Sequence, residues 1–213
     1  MSGLFISLEG TEGSGKSTQA RLLVEGLQEM GLSVTRLREP GGTAIGESVR
    51  DILLAHARNP PTPLTEALLF AASRSQLIRE VIRPALEAGQ IVVCDRFLDS
   101  SLAYQGGGRQ LGVDKVRSIN AAAVDGLLPH RTFLLDASFD LGRARLAERY
   151  GNSSESDDRF ESEPRAFHQR VRNTYLQLAA DEPERISVID AGADMKSVHA
   201  EIWQQTTALL EQR

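Results

Sequence analysis

The chain is predicted to be an α/β protein built on one five-stranded parallel sheet with helices on both faces. Three observations predict this. Short apolar runs of strand length at about 4–8, 33–37, 90–94, 131–135 and 186–189 alternate with helical stretches. The run at 90–94 is continuously apolar after Gln90, as a strand covered on both faces requires, those at 131–135 and 186–189 are mostly apolar in the same way, and an aspartate follows each: Asp95, Asp136 and Asp190. The first run passes directly into a glycine-rich turn and then a helical pattern.

Taken in order, the helix after that turn spans about 16–30, with Leu22, Leu23 and Leu27 at helical spacing and Gly31 placed to stop it. The second strand ends in the turn Glu39-Pro-Gly-Gly-Thr43. A helix over 44–56 and a proline-rich loop at 59–63 lead to a long helix, about 64–88. That helix carries apolar residues on two sides, which suggests burial on both, one of them against a partner subunit. Further helices are expected near 113–126, 138–149, 162–181 and 195–211. Residues 150–160 are polar and loop-like between two helices, which suggests a flap. No repeat or linker divides the 213 residues, so one domain is expected, with a lid segment at about 143–160.

Composition narrows the class. Hydrophobic residues make up 41% and charged residues 25%, ordinary values for a globular domain. No apolar run reaches the ~18 residues that cross a bilayer, and no secretory signal opens the chain. The single cysteine, Cys94, excludes an internal disulfide and suits a reducing cytoplasm. A net charge of −5 argues against general affinity for nucleic-acid backbones or anionic lipid. Only three of the 24 basic residues are lysines, so Lys16 inside a glycine-rich turn stands out. The histidines, at 56, 130, 168 and 199, show no metal-ligand spacing, and no role is assigned to them.

Residues 10–17 read Gly10-Thr11-Glu12-Gly13-Ser14-Gly15-Lys16-Ser17 and match G-x-x-x-x-G-K-[ST] throughout. Glycines let backbone N–H groups turn inward on phosphates, and the following helix aims its positive end at them. Lys16 would bridge the β- and γ-phosphates and the Ser17 hydroxyl would join a Mg²⁺ shell. A chance match would arise in roughly three of a thousand chains of this composition. The chain is therefore expected to bind ATP or a related triphosphate.

No N-K-x-D guanine motif and no L-S-G-G-Q-like signature is present, which leaves the small-molecule kinases. Asp95-Arg96 lies at a strand end, where ligands gather in parallel sheets. The aspartate there suits Mg²⁺ and the arginine suits an acceptor phosphate. Arg143, Arg145, Arg149 and Arg159 flank the flap, and closure would bring one beside the transferring phosphoryl. Phe70 and Arg74 share a helix face, and Ser101 and Gln105 are also four apart, together offering stacking and edge recognition to a pyrimidine. Two rival readings stand beside this one: a kinase for another small acceptor, and a non-enzymatic nucleotide-gated protein.

Residues 9–18 (EGTEGSGKST), 38–43 (REPGGT), 95–97 (DRF) and 103–109 (AYQGGGR) resemble the thymidylate kinase family, in matching order across about residues 3–190. The resemblance implies a P-loop nucleoside monophosphate kinase-like fold, ATP as phosphoryl donor with Mg²⁺, thymidine monophosphate as acceptor, and a homodimer packed through helices. It implies that Phe70 stacks on thymine, that Arg74 donates to a thymine carbonyl, and that Ser101 and Gln105 lie along the base edge. It places Tyr104 against the sugar 2′ carbon, Arg96 on the acceptor phosphate, and Glu12 near the 3′-hydroxyl and the phosphate pair. Arg38 and Pro40 would close the acceptor side. The P-loop variable positions carry no arginine, which resembles the bacterial subgroup that supplies it from the lid, here taken as Arg149.

Overall fold

A computed structural model describes residues 3–56, 58–150 and 159–211. Five strands, β1 (Leu4–Glu9), β2 (Val34–Arg38), β3 (Ile91–Asp95), β4 (Arg131–Asp136) and β5 (Ile186–Asp190), pair in the order β2-β3-β1-β4-β5, all parallel. β1 is buried at every position, Ser7 and Glu9 included, as a central strand covered on both faces is. Helices α1 (Lys16–Glu29) and α9 (Met195–Glu211) cover one face, with Leu23, Leu27 and Ile202 packed on Ile6, Val93 and Phe133. The other face lies under α3 (Pro63–Leu77), α6 (Val113–Val124) and α8 (Arg165–Asp181), around Phe5, Val92, Leu134 and Phe97. α2 (Ala44–Leu54) packs beside α3, and α7 (Phe139–Tyr150) follows β4.

Two stretches differ from expectation. The long helix ends as α3 at Leu77, continues as a π turn over Ile78–Ile82, and resumes as the short α4 (Arg83–Glu87). Pro84 has no N–H to give and its ring crowds the carbonyl four residues back, so the ladder widens and Arg83 N–H reaches Ile78 O instead. The second is a helical segment that sequence patterning passes over, α5 (Leu98–Ser101) running into a π segment, Leu102–Gly108. Gly106-Gly107-Gly108 reads as a loop signal, yet these glycines serve close packing. A Cβ on Gly107 would lie 2.0 Å from Thr174 Oγ1, and one on Gly108 2.6 Å from the Phe167 ring. The segment is thereby pressed against α8, which aims Tyr104 and Gln105 at the carboxyl edge of the sheet. Among the described residues no helix is long and apolar enough to cross a membrane.

Candidate active site

The site forms at the carboxyl ends of β1 and β3, which are neighbours in register with Leu8 opposite Asp95. The turn after β1 holds Gly13 at φ 70°, and its Cα side packs so closely on α7 that a Cβ would meet Gly142 O at 2.3 Å. Lys16 folds back over the turn, donating to Thr11 O at 2.7 Å and to Ser14 Oγ at 3.3 Å. Burial, with Arg96 nearby, pulls its ammonium down to about 8. The Ser17 hydroxyl donates to Asp95 Oδ2 at 2.5 Å, so the two oxygen groups matched to Mg²⁺ face each other. No cluster of three His, Cys, Asp or Glu side chains with metal-ligand spacing occurs among the described residues.

Arg96 follows β3 in the left-handed region, φ 72°, a cost that its side-chain contacts offset. Its guanidinium donates to Gly10 O (3.1 Å), Ser100 Oγ (3.2 Å), Glu12 Oε1 (3.1 Å) and Tyr104 Oη (3.2 Å). Tyr104 donates to the same Glu12 oxygen at 2.5 Å. His168 Nδ1 stands 3.3 Å from the other oxygen, Oε2. Burial alone would raise the Glu12 carboxyl, but His168, Arg96 and Lys16 hold it at about 2. Beneath this layer Glu9 accepts from Phe97 N, Ser100 Oγ and Tyr175 Oη, while burial and Asp99 push its carboxyl up to about 7.

A cavity beside Arg96 is lined by Pro40, Phe70, Ser101, Tyr104, Gln105 and Phe160, among others. The Phe70 and Phe160 ring centroids are 6.1 Å apart, so the cavity has aromatic walls. Arg74 lies one layer behind it. Its side chain is 1% exposed, and it donates to Glu39 Oε2, Asn120 Oδ1, Phe97 O and Ser101 Oγ. In this structure Arg74 reaches the cavity through Ser101. Arg38 borders the adjoining cleft and donates to Glu47, whose carboxylate also accepts from Gly42 N and so ties the 38–43 turn to α2.

A cleft of about 590 Å³ joins this cavity to the phosphate turn and is bordered by Lys16, Ser17, Asp95 and Arg96. The four lid arginines part company around it. Arg145 and Arg149 line the cleft. Arg143 donates to Glu161 O and borders a separate cavity with His168 and Phe139. Arg159 turns toward α2 and α3, donating to Leu53 O and Glu66. The expected lid also includes residues 151–158, which lie outside the described residues. On the far side of the turn Gly15, Arg145, Ala191 and Met195 line a pocket of about 200 Å³, with Arg145 donating to Ala191 O at 2.9 Å.

Sequence reasoning missed Phe160, Arg50, His168 and the Ala191 turn. Phe160 sat in a stretch read as polar loop, and His168 was isolated in sequence, so only tertiary proximity reveals them. Arg50 lines both the cleft and the cavity and donates to Pro40 O, a contact that helical spacing within α2 does not announce.

The family profile described as thymidylate kinase matches residues 8–202. A thymidylate kinase of Leifsonia xyli subsp. xyli is 50% identical over 200 residues, covering 94% of this chain and 92% of the relative. One from Exiguobacterium sp. is 46% identical over 212 residues, covering 100% and 98%. The crystal structure of thymidylate kinase from Ehrlichia chaffeensis superposes with a TM-score of 0.77 at 33% identity, over 97% of this chain and 99% of that one.

Proposed function

The chain belongs to the thymidylate kinase family and transfers a phosphoryl group from ATP to thymidine monophosphate, giving the diphosphate; within that activity we propose direct in-line transfer with the following assignment of residues. The observation that carries it is the single cleft in which Lys16, Asp95 and Arg96 meet, with an aromatic-walled cavity on one side and a second pocket on the other.

The acceptor phosphate is already a competent nucleophile, so positioning and charge neutralisation carry the rate, with no covalent enzyme intermediate. Arg96 holds that phosphate, its guanidinium steered by Ser100 and Glu12. Glu12, kept ionised, accepts from the sugar 3′-hydroxyl while it fixes Tyr104 beside the 2′ carbon. Phe70 stacks on the base, Ser101 and Gln105 read its edge, and Arg74 acts through Ser101. Arg38 and Pro40 close the acceptor side. Backbone N–H groups of residues 10–17 cradle the donor phosphates and Lys16 neutralises them. Arg149 meets the transferring group, and Arg145 packs on the adenine. Magnesium, when bound, screens the β- and γ-phosphate charge; the Ser17 hydroxyl and Asp95 carboxylate are the hard oxygen donors that fit it.

The unit is read as one kinase domain of the cytoplasm with a lid at about 143–160, binding neither nucleic acid nor membrane. A homodimer through α2 and α3 is supported by an apolar face there, with Ile45, Ile52, Leu64 and Leu68 about half exposed.

The test is ADP release from Mg-ATP with a panel of acceptors and a no-acceptor control. Fastest turnover is expected with thymidine monophosphate, and slower with deoxyuridine monophosphate, which lacks the methyl group. Preference for a purine or cytidine monophosphate would overturn the reading of Phe70, Ser101 and Gln105. Equal ADP release with and without acceptor would overturn the kinase itself.

A further inference from the structure

We propose that Glu66 is a specificity-determining positioning residue: it sets the polarity of Gln105 and so makes the acceptor cavity accept a base with a ring N–H and reject cytosine. The inference rests on the acceptor reading above.

Glu66 sits in the first turn of α3, is 0% exposed, is not among the residues that line the acceptor cavity, and meets three donor side chains. Gln105 Nε2 donates to Oε1 at 2.8 Å, Arg109 Nε to both oxygens at 3.2 Å, and Arg159 Nη2 to Oε2 at 2.6 Å. A carboxylate only accepts, so it captures the amide's NH₂ end and leaves the Gln105 carbonyl as the other end. That carbonyl oxygen accepts no hydrogen bond from the described residues. Gln105 lines the acceptor cavity together with Ser101. Ser101 Oγ is likewise oriented from behind: it accepts from Arg74 Nη2 at 3.0 Å, which leaves its proton to be donated.

Among the polar groups that line the cavity, the adjacent pair Ser101 and Gln105 therefore offers a donor, the Ser101 hydroxyl, beside an acceptor, the Gln105 carbonyl. Thymine and uracil offer the complement, a C4 carbonyl and an N3–H. Cytosine offers the reverse, a C4 amino group and a bare N3, so both contacts fail. Each buried mismatch of this sort costs roughly tenfold to a hundredfold in selectivity. Without a side chain behind it that only accepts, the amide would be free to turn either end to the cavity, and the acceptor half of the code would be lost.

Glu66→Gln reverses the arrangement. The new carbonyl goes to Arg109 and Arg159, its NH₂ faces Gln105, and Gln105 turns to present its own NH₂ to the cavity. The experiment measures kcat/KM of the full-length protein for the monophosphates of thymidine and deoxycytidine, in wild type, E66Q, Q105M and the double variant. Wild type should prefer thymidine monophosphate by at least on the order of 10²-fold. E66Q and Q105M should each narrow that ratio by about tenfold or more, through the acceptor KM, with the ATP KM unchanged. The double variant should be no less selective than Q105M alone, because Glu66 acts through Gln105. E66D, which keeps the charge between the arginines but withdraws it from the amide, takes the place of E66Q if that variant does not fold. A lowered melting temperature or kcat with the ratio intact would make Glu66 structural and overturn the proposal, as would an unchanged ratio in Q105M or additive effects in the double variant. A wild type that does not prefer thymidine monophosphate would overturn the acceptor reading as well, which separates the two failures.

Discussion

Lys16 is placed where charge is needed and burial opposes it. Without a phosphate the ammonium leans on the Thr11 carbonyl and the Ser14 hydroxyl, and burial beside Arg96 brings it down to about 8. A bound triphosphate supplies the counter-charge and must raise it again. The sign follows: above pH 8 the free protein has lost this proton and the complex keeps it, so ATP binding takes up a proton and weakens as pH rises. Isothermal titration at pH 8 in buffers of different ionisation enthalpy should show uptake of about half a proton, growing toward one at pH 9. Enthalpies independent of buffer at both values would remove Lys16 from the triphosphate. Glu12 behaves oppositely. Held at about 2, it stays ionised throughout that range and adds no slope of its own.

The segment 98–108 shows how far an element can be read from sequence. Strands β1 to β5 and most helices were legible because their signals are local: short, mainly apolar runs of strand length, helical spacing, and a glycine-rich turn between strand and helix. The motif residues of the phosphate turn and Asp95-Arg96 were legible for the same reason. The segment with the triple glycine was given no element because the contact that shapes it lies 67 residues away, at Thr174. Glycine there removes a side chain so that a π segment can press on α8; it does not loosen the chain. Spacing showed that Arg74 shares a helix face with Phe70 and the resemblance implied its base contact, but its donations to Glu39, Asn120 and Ser101 are visible only in the fold. The packing makes a prediction. Gly107→Ala places a methyl 2.0 Å from Thr174 Oγ1 and 2.9 Å from Thr174 Cβ, so it should cost about 1–3 kcal/mol in urea unfolding. Adding Thr174→Ala opens the space and should recover part of that loss. Undiminished stability in the single variant would mean that the glycine answers to something other than this contact.

At the scale of the whole molecule, every side chain assigned to the donor and acceptor sites comes from one chain, while one flank of that chain stays apolar and uncovered. Ile45 and Ile52, seven apart on α2, are 54% and 53% exposed; Leu64 and Leu68, four apart on α3, are 43% and 52% exposed. Both spacings put each pair on one helix face, and α2 packs against α3, so the four residues form a single surface. A stable dimer needs about 800 Å² from each partner, which two adjacent helix faces of eleven and fifteen residues are long enough to supply. A second copy would cover the surface through a two-fold axis, each α3 meeting its mate. Leu68→Glu puts a charge at the centre of that contact without touching Phe70 or Glu66, which point from other sides of α3. Sedimentation velocity at micromolar concentration should then show wild type as a dimer and L68E as a monomer. Because every side chain assigned to the two sites above lies on the same chain, the monomer should keep kcat within about threefold and lose melting temperature instead. If L68E sediments with wild type, the interface lies elsewhere. If it is monomeric and inactive, the dimer holds Phe70 in place through α3, and the independence of the two sites is the claim that falls.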